Sequence, residues 1–282
     1  MVTKDKINNI LVTGKSGAGK QPRIDVLVSE FGLTQLSTGN IFREYVGAFD
    51  RSGFTGDLER FYDAEKDTFV PDEEIEAAIK EQLPDVEEVR PVLLGLKAKY
   101  FMNSGKFVPN NSTNELFTEY FSKQDHKGYV LDGYPRTPDQ AEYLLQLVEE
   151  KDSSIDLVVL VNNSDKLIIE RTMGRRICPS CKKVYHTEFK PSKDNVHCDE
   201  CGTELIQRAD DTENKIKVRL AEFYDKVIPA LDILEKAGIP VVTVEGNLEV
   251  FTDENVRRSV MEKIEPLLKE EPEVKTSEQA VS

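Results

Sequence analysis

The chain has 282 residues, is 39% hydrophobic and 32% charged, and carries a formal net charge of −15. That length holds one large α/β domain with insertions, and the apolar fraction is enough for a core. The acidity argues against a nonspecific grip on nucleic acid, since phosphate backbones attract basic surfaces. The apolar runs are strand-length, far short of the ~20 residues of a spanning helix, so no membrane partner is expected and the chain reads as soluble and cytoplasmic.

The first element is the apolar run Asn9 to Thr13, closed by Gly14. Such a run fits a strand buried on both faces of a parallel sheet. Gly14-Lys15-Ser16-Gly17-Ala18-Gly19-Lys20 follows, and a helical stretch comes after it. A glycine-rich turn between strand and helix reads as a P-loop: Gly17, Ala18 and Gly19 let backbone N–H groups face an anion, and Lys20 reaches the terminal phosphates. The loop then departs from rule at Gln21-Pro22-Arg23. Pro22 has no N–H to donate, and the hydroxyl that often contacts Mg²⁺ is missing.

A second strand is expected over Gln35 to Thr38, with Arg43 one helical turn beyond it. From Gly47 to Val92 there are fourteen Asp or Glu against five Lys or Arg, a solvated face rather than a site. Thr68-Phe69-Val70-Pro71-Asp72, with helical Glu73 to Leu83, is echoed 38 residues later by Lys106-Phe107-Val108-Pro109-Asn110, with helical Thr113 to Ser122. Helical segments are expected before each copy, over Asp57 to Glu65 and Leu93 to Met102. Residues 54 to 123 thus read as two consecutive helical hairpins, produced by duplication or by coincidence.

Further strands are expected at Tyr129 to Asp132, Leu157 to Val161 and Pro240 to Val244, with helices at Pro138 to Glu150 and Thr212 to Ala237. The alternation predicts a five-stranded parallel sheet covered on both sides. Asp132 and Arg136 then fall at a strand's C-terminal edge, where open parallel sheets bind ligands. Cys178-Pro179-Ser180-Cys181 and Cys198-Asp199-Glu200-Cys201 use every cysteine in the chain, with sixteen residues between the two pairs. Four thiolates at this spacing read as a structural Zn²⁺ site with no open position; two disulfides of an exported protein are the alternative. His186 and His197 in the same flap read as bystanders. Arg171, Arg175 and Arg176 lead into the flap, and Arg208, Asp210, Asp211 and Arg219 follow it. Each arginine alone would be a surface ion-pair former. Together with Arg43 and Arg136 they suit two phosphate chains brought end to end. Lys269 to Ser282 is polar and reads as a frayed tail.

These motifs together resemble the adenylate kinases of the long-lid, zinc-bearing type, from Ile7 to about Leu268. The residues carrying the likeness are Gly-Ala-Gly-Lys at 17 to 20, Ser-Thr-Gly at 37 to 39, Asp-Gly-Tyr-Pro-Arg-Thr at 132 to 137 with Gln140, Gly-Arg-Arg at 174 to 176, the four cysteines, and Asp-Asp at 210 and 211. The resemblance implies a P-loop α/β/α core in residues 1–36, 109–174 and 209–268. It also implies an acceptor-binding region in 37–108 with an inserted hairpin, a zinc lid in 175–208 and a disordered tail in 269–282. It implies transfer of phosphoryl from MgATP to AMP by a monomer, or by an oligomer formed through the insertion.

Carried onto this chain, the resemblance gives ATP to Gly17, Ala18, Gly19, Lys20, Gln21, Pro22, Arg171, Arg175, Gly246 and Leu248. It gives AMP to Thr38, Arg43, Lys106, Val108, Gly133, Arg136 and Gln140, with Gln140 on the adenine edge. Arg208 and Arg219 would bridge the transferring group, Asp132 would orient Mg²⁺ through water, and Asp210 and Asp211 would latch the closed lid. Asn40 stands where the family has an aspartate, and Val70 is the alternative to Val108 as base wall. The rivals are a kinase for another nucleoside monophosphate, a nucleotide-binding regulator with reduced turnover, and a zinc-ribbon adaptor.

Overall fold

A computed structural model describes residues 2–3, 7–66, 68–104, 106–208 and 211–269. Its centre is a five-stranded, all-parallel sheet of β1 (Asn9–Thr13), β2 (Thr34–Ser37), β3 (Tyr129–Asp132), β4 (Leu157–Asn162) and β5 (Val241–Glu245), in the order β5-β4-β1-β3-β2. Side chains alternate faces along a strand, so a sheet covered on both sides needs apolar residues at every position. Ile10 and Val12 accordingly pack with Val130, Val159 and Val161 on one face, while Leu11 packs with Leu131 and Val158 on the other. Each predicted strand is present, β1 and β3 with the expected bounds and the other three shifted by one residue at one or both ends. At the foot of β1 the buried Asn9 amide donates to His126 and Ser154 carbonyls and accepts from the Tyr129 N–H, which closes the sheet's lower edge.

Local signals set the helix ends. The helices are α1 (Lys20–Phe31), α2 (Thr38–Ser52), α3 (Asp72–Gln82), α4 (Val89–Ser104), α5 (Asn110–Phe121), α6 (Pro138–Glu150), α7 (Asp165–Met173), α8 (Glu213–Glu222), α9 (Ile228–Lys236) and α10 (Asp253–Ile264). The hydroxyls of Thr137, Ser164 and Thr252 cap α6, α7 and α10 by accepting the N–H three residues on. The expected helix over Thr212 to Ala237 is helical throughout but passes through a π-turn at Phe223–Val227 between α8 and α9. Among the described residues no helix is long and apolar enough to cross a membrane.

The acid-rich region departs from the expected pair of helical hairpins. Asp57 to Glu65 is not a helix: only Glu59–Phe61 forms a 3₁₀ turn, and Tyr62–Asp63 then pairs antiparallel with Thr68–Phe69. Long-range aromatic contacts outweigh the local pattern here. The Tyr62 and Phe69 rings lie 5.2 Å apart, and both pack on Phe101 of α4, at 5.0 and 5.8 Å. The insertion carries its own small core, in which Phe54, Phe61, Ile75 and Ile79 pack on Phe49 of α2 and on Val92, Leu93 and Leu96 of α4. Buried Lys97 of α4 is ion-paired to Asp72 at the start of α3 and ties the added helix down.

Helices α2 and α4 cross at Gly95, where a β-carbon would stand 2.1 Å from the Tyr45 carbonyl oxygen. No side chain fits without parting the helices, so Gly95→Ala is expected to lower the unfolding free energy by roughly 1–3 kcal/mol through overpacking. Urea denaturation checks this, and an unchanged midpoint would mean the crossing yields freely.

Candidate active site and metal centre

The candidate active site sits at the C-terminal edge of the sheet, where β1, β2 and β3 end side by side. After β1, the loop Gly14 to Gly19 turns through positive φ at Gly14, Gly17 and Gly19 (140°, 89° and 94°), a region closed to most L side chains. The loop thereby curls around a hollow at the start of α1. Lys20 folds back across it, its ammonium donating to the carbonyls of Gly14 (2.9 Å) and Lys15 (3.1 Å). Burial lowers the Lys20 pKa to about 8. Asp132 opposes that shift, while Arg136, Arg175 and Arg43 add to it. Lys15, inside the same glycine-rich run, is committed elsewhere: its ammonium meets Asp165 and lies 4.8 Å from the Tyr224 ring in the π-turn.

Asp132 ends β3 beside the last residue of β2. Its Oδ2 accepts from the Ser37 hydroxyl at 2.8 Å and the Gln35 amide at 3.2 Å. Ser37 precedes α2 but makes no side-chain cap, because its hydroxyl holds Asp132 instead. The next residue, Thr38, donates to the Gly133 carbonyl at 2.9 Å, and the Arg136 Nε reaches the same carbonyl at 2.7 Å. A β-carbon on Gly39 would lie 3.4 Å from the Arg43 guanidinium and 3.8 Å from that of Arg136, so the two cations converge on the start of α2. Desolvation pulls the Arg136 pKa down to about 10; Asp132 acts against the shift, and Arg43 and Arg219 add to it. Five cationic side chains, Lys20, Arg43, Arg136, Arg175 and Arg219, therefore converge near Asp132. Such a cluster is arranged for a polyanion.

The remaining predicted residues fall into place around it. The Gln140 carbonyl oxygen accepts from the Arg136 N–H and its amide donates to Asn110, which in turn accepts from Thr137. The same amide that the resemblance aims at a base therefore also steadies the Arg136 backbone. Asn40 accepts from Arg43 at 2.7 Å and so orients an acceptor-side cation. Val108 packs with Leu36, Ile41, Phe42 and Tyr134, and neighbouring Phe107 lies 5.1 Å from the Arg136 guanidinium; Lys106 is exposed. Val70 packs instead against the core of the insertion. Asp211 is buried and grips Arg175 through both carboxylate oxygens, while Asp210 lies outside the described residues. Arg171 donates to the Gly246 carbonyl (3.0 Å) and Asn247 (2.6 Å) in the turn after β5, one residue before Leu248. The roles of Ser37, Gln35 and Asn110 went unread in the sequence, since nothing local marks a partner 30 or 95 residues away.

The four cysteines come together in the flap. Their Sγ atoms all lie within 4.8 Å of one another, with Cys178 to Cys201 at 3.4 Å and Cys181 to Cys198 at 3.5 Å, and none is in a disulfide. A tetrahedron with Zn–S bonds of ~2.3 Å has edges of about 3.8 Å, so donors and spacing fit that ion. The knuckles turn on Lys182 (φ 64°) and Gly202 (φ 71°), and Lys183 and Glu200 pair across them. His186 is turned away from the cluster, its Nδ1 accepting from the Glu188 and Phe189 amides, and burial lowers its pKa. His197 pairs with Asp194. The flap opens with the hairpin Arg175–Ile177 and Val184–His186, and Ile177 also bridges to Ile206.

Comparison with known proteins agrees with this arrangement. The family model described as adenylate kinase matches residues 89–239. An adenylate kinase of Symbiobacterium thermophilum is 33% identical, over 85% of this chain and 91% of its own. The adenylate kinase of Caldanaerobacter subterraneus is 34% identical over 86% and 93%, and that of Clostridium kluyveri 32% over 86% and 92%. At 33% and 34% identity over most of both chains, the chain belongs to the adenylate kinase family.

Proposed function

We propose that the protein transfers the γ-phosphoryl group of ATP to AMP, reversibly and without a covalent enzyme intermediate, giving two ADP. The observation that carries this reading is the convergence of Lys20, Arg43, Arg136, Arg175 and Arg219 near Asp132 at the C-terminal edge of the sheet, with the buried Lys20 and Arg136 held by backbone carbonyls. On the donor side, the loop amides from Gly17 to Lys20 and the Lys20 ammonium hold the β- and γ-phosphates. Arg171 and the turn Gly246 to Leu248 hold the donor's base end. On the acceptor side, Arg43 and Arg136 hold the AMP phosphate, with Thr38, Gly133, Lys106, Val108 and Gln140 around its nucleoside.

A phosphate oxygen of AMP attacks the γ-phosphorus in line, and the bond to the β–γ bridging oxygen breaks, leaving that oxygen on ADP. Arg175, Arg208 and Arg219 neutralise the charge on the moving group; positioning and charge do the work, since no side chain bonds to phosphorus. Magnesium, bound with ATP, supplies further neutralisation of the β- and γ-oxygens, and Asp132, with one oxygen fixed by Ser37 and Gln35, is the carboxylate fit to hold its waters. The flap 175–208 and the arm 37–108 act as covers that keep water from taking the phosphoryl group. Asp211, gripping Arg175 at the root of the flap, couples cover to chemistry, and zinc in the four thiolates is structural.

Incubating the enzyme with ATP and each nucleoside monophosphate in turn should give ADP fastest with AMP; equal or greater turnover with another acceptor would reject the choice of AMP. Arg136→Ala should lower kcat/KM by at least about a thousandfold, as loss of a fixed charge facing developing phosphoryl negativity does, and near-normal turnover would sink the site assignment. Triphosphate binding should raise the Lys20 pKa, so above pH 8 the complex holds a proton that the free enzyme has shed. ATP affinity should therefore be flat below about pH 8 and fall by up to roughly tenfold per pH unit above it. Calorimetry in buffers of different ionisation enthalpy reads that proton uptake, and a flat profile through pH 9 would contradict it. Cys198→Ser should release zinc and lower the melting temperature; an unchanged melt with metal retained would refute the structural role.

A further inference from the structure

Arg23 is the largest side chain that the fold buries completely, and neither motif nor reaction accounts for it. It is the fourth residue of α1, on the inward face with Ile24 and Leu27. Its Nη1 donates to the Gly19 carbonyl at 3.2 Å and its Nη2 to the Glu245 carbonyl at 2.6 Å, while its buried Nε has no hydrogen-bond partner. The Phe251 ring covers the guanidinium at 5.6 Å. Among the described residues no carboxylate meets it, and the nearest charge acting on it is another cation, Arg171. Burying an arginine without an acid is unfavourable unless a ligand later supplies the missing charge.

The geometry points to Arg23 as a positioning residue of the donor site, a buried cation behind the Gly19–Lys20 peptide that makes up for the amide lost at Pro22. This rests on reading loop 14–20 as the seat of the donor's phosphates. Pro22 leaves the first turn of α1 one N–H short at the point where a phosphate is gathered. Arg23 bonds the oxygen of the Gly19–Lys20 peptide, whose N–H is that of Lys20. A cation on a carbonyl polarises the whole peptide unit and strengthens its N–H as a donor. A guanidinium with no acid beside it, in a low-dielectric setting, also extends its own field into the cradle. The contact with Glu245 further fixes the spacing between the phosphate loop and the turn that follows β5, where Arg171 binds Gly246.

The test uses the full-length, zinc-loaded protein, titrated calorimetrically with inorganic tripolyphosphate and with ATP. Arg23→Gln should weaken both by about tenfold and leave the KM for AMP unchanged, whereas Arg23→Lys, which keeps the charge, should stay within about threefold of the parent. ATP weakened with tripolyphosphate affinity intact would reduce Arg23 to a tie on the base turn, and would overturn the proposal. A loss of tripolyphosphate affinity smaller than about threefold does the same. Should Arg23→Gln not fold, Pro22→Thr in the otherwise unaltered protein decides. With Arg23 present the restored amide should gain less than about threefold in tripolyphosphate affinity, and a larger gain would show that the loss was never made good. Failure of the unaltered protein to bind tripolyphosphate at all would remove the donor-site reading itself, an outcome distinct from either.

Discussion

Repulsion among cations is the constraint that the rest of this structure answers. Arg43, Arg136 and Arg175 act against the charge of Lys20, and Arg43 and Arg219 against that of Arg136, with Asp132 the acid facing both. In water such a cluster would disperse. Here Lys20 is held by two loop carbonyls and Arg136 by the Gly133 carbonyl, acceptors that do not cancel their charge, while the Asn40 amide orients Arg43. Arg175, at the base of the flap, is gripped by buried Asp211. The charge of Lys20 and Arg136 is thereby held ready for a polyanionic ligand without reorganisation of the site.

That charge must be carried by rigid supports, and the fold supplies them from elements far apart in sequence. The ends of β1, β2 and β3 lie side by side, which brings the phosphate loop, the Ser37–Thr38 corner and the Asp132–Gly133 turn into one place. The arm 37–108 is bound to this edge by Val108 in the main core and braced within itself by the tight crossing of α2 and α4 at Gly95. The insertion adds a third core to the outer side of that crossing and leaves the segment around Val108 with the sheet. It thickens the arm at α2 and α4.

How much of this the sequence disclosed follows from how local each cause is. The three central strands were legible because burial on both faces forces nearly uninterrupted apolar runs, the two edge strands from their alternation with helices, and the phosphate loop because positive φ at three positions demands glycine. The cysteine cluster was legible because thiolate chemistry is read from spacing alone. Asp57 to Glu65 was misread as helix because its strand pairing is decided by rings of α4 more than thirty residues away. Arg23 was named only as part of the loop's departure from rule, although its place between Pro22 and the apolar Ile24, in phase with Leu27, is an inward one. Gln140 was assigned to a base, yet its hydrogen bonds run to Arg136 and Asn110, a network that no periodicity announces.

The echo of Phe-Val-Pro illustrates the same divide. Pro71 and Pro109 precede α3 and α5 with nearly the same backbone, φ −50° and ψ 142° against φ −52° and ψ 148°. In each case the proline carbonyl accepts from the first turn of the helix. That likeness needs no duplication, because the proline ring fixes φ and the helix beyond requires an extended residue at its cap. The side chains part company at once: Phe69 joins Tyr62, Tyr100 and Phe101 in the insertion's aromatic cluster, whereas Phe107 lies against Arg136 and Lys226. What precedes the two copies differs as well, a β-hairpin in one and α4 in the other. The shared proline is therefore accounted for by the physics of starting a helix, and Val108 of the second copy, unlike Val70, is buried in the main core.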